Sequence, residues 1–452
     1  MGAAVERLTK LVDAPDRFSH SHTELHDAQV AAMNELFQAR KNRIKLLANR
    51  AKEANVSEVR SLADIVPLLF PHTAYKSYPE SFLSEQKWDR LNKWLGTISP
   101  HPIAPIETAD IADMDEWVDR MGTAGHYLSC SSGTTGKAAV LLASEADMDW
   151  TRKDTVGVYS WGAGVKPERD RRMFGVAPVA AVPKNLVVAA AQREAFCDPR
   201  TEAFTFPVPP ITIGSQTRMV VLRKAIADGT ARPGDIADFE ATSKAREALF
   251  DKAYVITAEA LVAARSDKLH IMGMWNALYM VAKLVREMGY TGADFHPDNS
   301  LYVGGGLKRA QLPADYQEFV FGTFNIPLTR HFQNYSMQEL NSGMPKCGAG
   351  NRYHVPPWMI PLVLNEDGDE LLAHDTAGDA SGEVEGRAAF VDLALDGRWN
   401  GVITGDKISL DFGPCACGNA SPSIRDDIQR FADLKGDDKI GCAGTVDAYV
   451  RG

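Results

Sequence analysis

Across residues 23–59 the apolar positions Met33, Leu36, Phe37, Ile44 and Leu47 recur at helical spacing among Lys, Arg and Glu, predicting one long amphipathic opening helix whose role is packing. Residues 68–79 are aromatic and broken by Pro71 and Pro79, which ends helix and predicts an ordered loop beside a pocket. His72 in that loop reads as a hydrogen-bonded loop histidine. Further on, short apolar runs at 127–130, 140–142 and 219–222 alternate with helical patterns at 258–264 and 275–288, and more strands are predicted at 300–303, 359–364 and 401–404. The cluster Asn365-Glu366-Asp367-Gly368-Asp369-Glu370 marks a turn between strands. Strands interleaved with helices imply an α/β fold. No internal repeat or low-complexity tract interrupts the chain.

Length and charge then limit the function classes. A chain of 452 residues with 45% apolar content can bury a large core and has room for two or three domains. The net charge of -10 argues against nucleic acid as a partner. No apolar run reaches the ~18 residues of a membrane span, and the first residues lack a secretory pattern, so a cytoplasmic protein with no membrane partner is expected. The six cysteines, Cys130, Cys197, Cys347, Cys415, Cys417 and Cys442, are too few and too unevenly placed for a secreted disulfide framework; they read as reduced thiols or metal ligands.

The richest chemistry lies in Ser131-Ser132-Gly133-Thr134-Thr135-Gly136-Lys137, which follows a predicted strand. Small residues expose backbone N–H groups, hydroxyls surround one lysine, and such a loop suits polyphosphate. It is not a Walker loop, because Ser131 and Ala138 stand where that pattern requires Gly and Ser or Thr, and because a strand follows it. Its wording resembles the phosphate loop of the adenylate-forming superfamily of acyl-CoA synthetases and their relatives.

Three more segments fall in that family's order. The strand before Gly304-Gly305-Gly306-Leu307-Lys308 ends in glycines that let backbone approach a flat base, and the resemblance sets this turn against adenine. Asn334-Tyr335-Ser336-Met337-Gln338-Glu339 resembles the motif whose tyrosine stacks on adenine and whose glutamate holds Mg²⁺, with Ser336 and Gln338 replacing the usual glycine and threonine. Asp406, in Thr404-Gly405-Asp406, resembles the aspartate that accepts from the ribose hydroxyls. The resemblance implies an AMP-forming ligase that activates a carboxylic acid with ATP and Mg²⁺. Thr134, Thr135 and Lys137 would hold the β- and γ-phosphates and Glu339 the Mg²⁺. No general base is needed, since the attacking carboxylate is already ionised.

Cys347 and His354, with the pair Cys415 and Cys417 some sixty residues later, supply three thiolates and an imidazole, a closed tetrahedral set suited to structural Zn²⁺. This arrangement resembles the phenylacetate-CoA ligase branch, and the wording around Gly304 and Tyr353-His354-Val355-Pro356-Pro357-Trp358 is closer to LuxE-type acyl-protein synthetases. The expected fold is therefore the large N-terminal domain of an adenylate-forming enzyme, with mixed sheets flanked by helices. Its expected parts are a helical segment at 1–100 packed on the core, the adenylate-forming core at 101–412, and a zinc knuckle with hinge and tail at 413–452.

After Asp437-Asp438, which resembles the family's hinge, fourteen residues remain, so the usual small C-terminal domain and its lysine are expected to be absent. Lys308 or Lys439 are candidates to replace that lysine. The resemblance also implies an acyl-accepting role for Cys442, whose thiolate Lys435 and Lys439 would favour. Three catalytic outcomes stay open: transfer of the acyl group to Cys442 and then to a partner such as an acyl reductase, transfer to coenzyme A, or transfer to an amine or hydroxyl. A non-catalytic nucleotide-binding protein is the reading from another class. The acid, fatty or aromatic, is expected in a pocket lined by residues 176–182 and Trp358.

Overall fold

The computed structural model describes residues 2–103, 105–130, 138–304, 311–372 and 382–435. The chain divides into two compact units, residues 1–154 with 336–452, and residues 155–335.

In the first unit the predicted opening helix is two helices, His22–Arg40 and Lys45–Glu53. Ser21 and Glu24 close a capping box at the start of the first. The break follows from burial: Ile44 is extended (φ −108°, ψ 108°) and fully buried, while Arg40 turns inward to donate to the Arg398 carbonyl (3.0 Å) and to Asn400 Oδ1 (2.6 Å). A continuous helix could not satisfy both. The loop at 68–79 is ordered, with a short strand Phe70–Pro71 and a 3₁₀ turn His72–Lys76.

The main sheet of this unit runs, in spatial order, Met344–Cys347, Arg352–His354, Ser423–Arg425, Gly401–Asp411, Glu383–Asp392 and Met359–Leu364, neighbours pairing antiparallel. Phe70–Pro71 adds in parallel against Val402 and Ile403. Met359–Leu364 is buried along its whole length, as its unbroken apolar run requires. The turn after it is organised by Asn365, whose Oδ1 accepts from the backbone N–H groups of Gly368, Asp369 and Glu370. Tyr127–Cys130 and Val140–Ala143 form a separate antiparallel pair with Cys130 opposite Val140.

The second unit holds a parallel sheet in the order Arg172–Gly175, Leu269–Gly273, Ser300–Val303, His331–Phe332. Helix Trp275–Glu287 buries Trp275, Leu278, Val281, Ala282 and Val285, one face at helical period, in the core cluster that includes Ile271 and Leu301. The run 219–222, expected as a strand, lies inside helix Ile213–Ala227. Thr212 caps that helix by accepting from Ser215 N–H (3.1 Å), and the flanking Arg, Lys and Ala residues favour helix over the two β-branched valines.

Candidate active site

The two strands flanking the segment Ser131–Lys137 pair antiparallel, as the strand–loop–strand reading expected. Ser131, Ser132, Gly133, Thr134, Thr135, Gly136 and Lys137 lie outside the described residues, as do Gly305, Gly306, Lys308, Lys439 and Cys442. The second of the two strands is fixed from two sides: Tyr78 Oη donates to the Ala138 carbonyl (2.7 Å), and Arg398 Nη1 donates to the Leu142 carbonyl (2.7 Å).

Arg398 also donates from Nη2 to the Gln338 carbonyl (2.8 Å), one residue before Glu339. This arginine is 2% exposed. It thus spans the strand that follows Ser131–Lys137 and the turn that carries the predicted magnesium ligand. Neighbouring groups hold the same turn. Asp392 Oδ2 accepts from the N–H groups of Asn341 (2.7 Å) and Ser342 (2.8 Å). Asp147, fully buried, accepts from the N–H groups of Ser144, Asp396 and Gly397 and from the Asn341 side chain. At Gly397 the chain passes so close that a Cβ would stand 2.7 Å from Ala143 Cα and 2.8 Å from Leu142 O.

Glu339 is half-buried. Burial pushes its carboxyl above the ordinary value, and nearby Asp406 adds to this; its own backbone N–H and the positive charges of Arg398 and Lys76 act in the opposite sense. Lys76, at the end of the turn His72–Lys76, is itself held below the usual lysine range by burial, partly offset by Glu339. Tyr75 is fully buried, and its phenol is pushed up to about 12, chiefly by burial. Asp406 sits on strand Gly401–Asp411, its N–H bonded to Thr404 Oγ1 (3.1 Å) and its carboxylate 3.8 Å from the Arg430 guanidinium. The structure therefore brings Glu339 and Asp406 into one charged cluster with Lys76, Arg398 and Tyr75. None of these last three was identified as a site residue from the sequence, and only the aromatic, proline-broken character of 68–79 pointed towards Tyr75 and Lys76.

In the second unit Gly304 follows the carboxyl end of strand Ser300–Val303, its N–H bonded to the Gly273 carbonyl (2.9 Å). Asn334 and Tyr335 follow strand His331–Phe332. Both positions stand at the carboxyl ends of parallel strands, where open α/β sheets bind ligands. Ser336 and Glu339 belong to the first unit, so the division of the chain falls inside the motif. Trp358, expected in the substrate pocket, is instead fully buried in the first unit, edge-on to Trp150.

Cys347, His354, Cys415 and Cys417 meet, their ligand atoms all within 4.8 Å of one another. Cys347 ends one strand and His354 ends its antiparallel neighbour. The two remaining cysteines lie on a turn closed by Gly418 N–H to the Cys415 carbonyl (2.9 Å), with Gly418 at φ +87°. Cys347 and Cys415 sulfurs are 3.7 Å apart, and Cys417 Sγ is 3.4 Å from His354 Nε2. A tetrahedral zinc with bonds of about 2.3 Å to sulfur and 2.0–2.1 Å to nitrogen has S–S edges of about 3.8 Å and S–N edges of about 3.5 Å. The donor set and its spacing fit that ion. His354 Nδ1 lies 2.8 Å from Ser421 Oγ, a partner that fixes the ring and leaves Nε2 towards the sulfurs. Gly350 is required beside them, since a Cβ there would stand 2.3 Å from Cys415 Sγ.

No protein-family model and no curated protein matches the sequence. Solved structures do match in fold. 2-Hydroxyisobutyryl-CoA ligase in the postadenylation state, in complex with R3-HIB-AMP, superposes with a TM-score of 0.56 at 12% identity over 93% of this chain and 70% of that chain. Its open conformation with 2-HIB-AMP and CoA gives 0.57 at 12% identity over 92% and 77%. Its thioesterification state gives 0.57 at 14% identity over 92% and 70%. Over nearly its whole length, the chain has the mixed α/β fold of adenylate-forming ligases.

Proposed function

We propose that the protein activates a carboxylic acid as an acyl-adenylate and passes the acyl group to a thiol. The observation that carries this reading is the cluster of Glu339, Asp406, Lys76 and Arg398 in the first unit, tied through Arg398 to the strand that leaves the Ser131–Lys137 loop. In the first step a carboxylate oxygen attacks the α-phosphorus of ATP, the bond from that phosphorus to the bridging oxygen breaks, and pyrophosphate leaves. Negative charge gathers on phosphate oxygens, so positioning and positive charge are the main needs. Lys137, Thr134 and Thr135 would bind the β- and γ-phosphates and Asp406 the ribose hydroxyls. Glu339 would hold Mg²⁺, which when bound offsets the phosphate charge. Gly304, Gly305, Gly306 and Tyr335 would flank adenine.

Lys76 would supply the cation for which Lys308 and Lys439 are the other candidates. Its depressed basicity and its coupling to Glu339 suit a lysine facing an anionic ligand. In the second step a thiolate attacks the carbonyl carbon, the bond to the phosphate oxygen breaks, and AMP leaves. Cys442, followed by handover to an acyl reductase, and coenzyme A are the two thiols considered. The wording near His354 favours the LuxE-type route, and the ligase of similar fold is one bound to CoA. The Cys347, His354, Cys415, Cys417 centre would hold a structural Zn²⁺, because four protein ligands leave no open position for chemistry.

The test uses the full chain with ATP, Mg²⁺ and a panel of fatty and aromatic acids. Acid-dependent exchange of pyrophosphate into ATP is expected, together with a mass gain of one acyl group on the protein in the absence of coenzyme A. No exchange with any acid, in protein that binds ATP, overturns the adenylation reading. Exchange that leaves Cys442→Ser as reactive as wild type, with thioester formed only on coenzyme A, assigns the acceptor to the cofactor.

A further inference from the structure

Helix Pro233–Ala263 is 31 residues long, on the order of 46 Å. Its buried side chains, Ala253, Tyr254, Thr257, Ala258 and Leu261, all lie towards its C-terminal end. From Pro233 to Leu249 no side chain is buried. In proteins most helical stability comes from packing one face, and this half of the helix buries none among the described residues.

The face opposite the buried one is patterned for such packing. Ala241, Ala245, Ala248, Lys252, Val255 and Glu259 follow one another at alternating intervals of four and three, the spacing of a helix–helix seam, and all are exposed. Leu249 and Ile256 flank the seam at 37% and 47% exposure, and Val255 is at 40%. Ala248, nearest Val255, permits close approach. The two charges in the seam, Lys252 and Glu259, have no ion-pair or hydrogen-bond partner among the described residues.

Those charges identify the occupant. They are of opposite sign, two helical turns apart, and bracket Val255 and Ile256. An antiparallel copy of the same helix, related by a two-fold axis between Val255 and Ile256, sets Lys252 against the partner's Glu259 and, by symmetry, Glu259 against the partner's Lys252. Val255 meets the partner's Ile256 at the centre. We propose that a second copy of this chain docks here, in an isologous dimer seam. In this register residues 248–263 of the two helices overlap, Ala248 facing the partner's Ala263, and residues 233–247 of each helix extend past the end of the other.

Sedimentation of the full-length protein over a concentration series tests this. Wild type is expected as a dimer. Lys252→Glu and Glu259→Lys each turn both attractive pairs into like-charge pairs, and each is expected to weaken dimerisation on the order of tenfold or more. The double variant Lys252→Glu/Glu259→Lys restores opposite charges and is expected to regain the wild-type dissociation constant. All three changes are on exposed positions, so circular dichroism should confirm unchanged folding. A wild-type protein that stays monomeric throughout, a dimer indifferent to both reversals, or a double variant no tighter than the single ones overturns the proposal.

Discussion

Arg398 donates to the main chain at Gln338, 2.8 Å from Nη2 to the carbonyl oxygen, while its other terminal nitrogen holds Leu142. One buried guanidinium therefore ties strand Val140–Ala143 to the turn bearing Glu339. Replacing it with leucine leaves two buried carbonyls without that donor and removes a positive charge beside Glu339. Arg398→Leu is expected to lose about 2–4 kcal/mol of stability in urea titration, and at least about a hundredfold in pyrophosphate exchange at temperatures where it remains folded.

Lys76 is only half-buried, and its proposed role is electrostatic. Lys76→Ala is expected to change unfolding free energy by less than about 1 kcal/mol. Exchange should nevertheless fall by about tenfold or more, because the cation proposed to face the phosphates is lost. Equal exchange in the variant and wild type would remove Lys76 from the site.

Glu339 makes a prediction about pH whose sign is fixed. Its carboxyl is raised above the unfolded-state value, so the folded protein binds its proton more tightly than the unfolded chain does. Without bound cation, ionised Glu339 costs stability, and that cost appears as pH rises through the window between the unfolded and folded values. Glu339→Gln is thus expected to be more heat-stable than wild type at neutral pH in a metal-free buffer, with the advantage vanishing once pH falls below the ordinary carboxylate range. The same substitution should abolish most of the Mg²⁺-dependent exchange. A wild-type protein more stable than Glu339→Gln at neutral pH contradicts the assignment.

At Gly397 an added methyl would stand within 2.8 Å of Ala143 Cα, Leu142 O and Asp147 Oδ2, all parts of a closely packed turn. Gly397→Ala is expected to destabilise by about 1–3 kcal/mol, measured by urea unfolding, and to lower exchange with it. An unchanged midpoint would mean that the turn gives way freely.

The group of Cys347, His354, Cys415 and Cys417, read as a zinc site, predicts close to one zinc per chain by elemental analysis. Cys417→Ser, which removes a ligand, and Gly350→Ala, whose Cβ would fall 2.3 Å from Cys415 Sγ, should both lower zinc content. Chelation should lower the unfolding temperature of wild type more than that of either variant, since metal binding contributes to folding free energy. Full zinc content in Cys417→Ser would exclude that thiolate as a ligand.

Much of this molecule was legible one segment at a time. The strands Tyr127–Cys130 and Val140–Ala143, the strand before Gly304 and the turn at Asn365 follow from short apolar runs bounded by turn residues, whose signal is local. The four Cys and His residues were recognisable because few residue types bind zinc, and their strands and turn do converge. Local signals failed where packing overruled them. Arg40 and Ile44 broke one expected helix into two by turning into the core, and the capped helix at Ile213–Ala227 absorbed an apolar run that reads as a strand.

What the sequence by itself determined, then, is the α/β class, the strands and turns whose signal is local, and the choice of Cys347, His354, Cys415 and Cys417 as one group of possible metal ligands, since each depends on residue type and near neighbours. Only the tertiary structure decided that Lys76 and Arg398 act on Glu339, that Trp358 is core, and that Gly397 and Gly350 admit no side chain. Arg398 lies 60 residues from Gln338 and 256 from Leu142. Pairings of buried polar groups over such separations are fixed by how the sheet closes, and no periodicity along the chain encodes them.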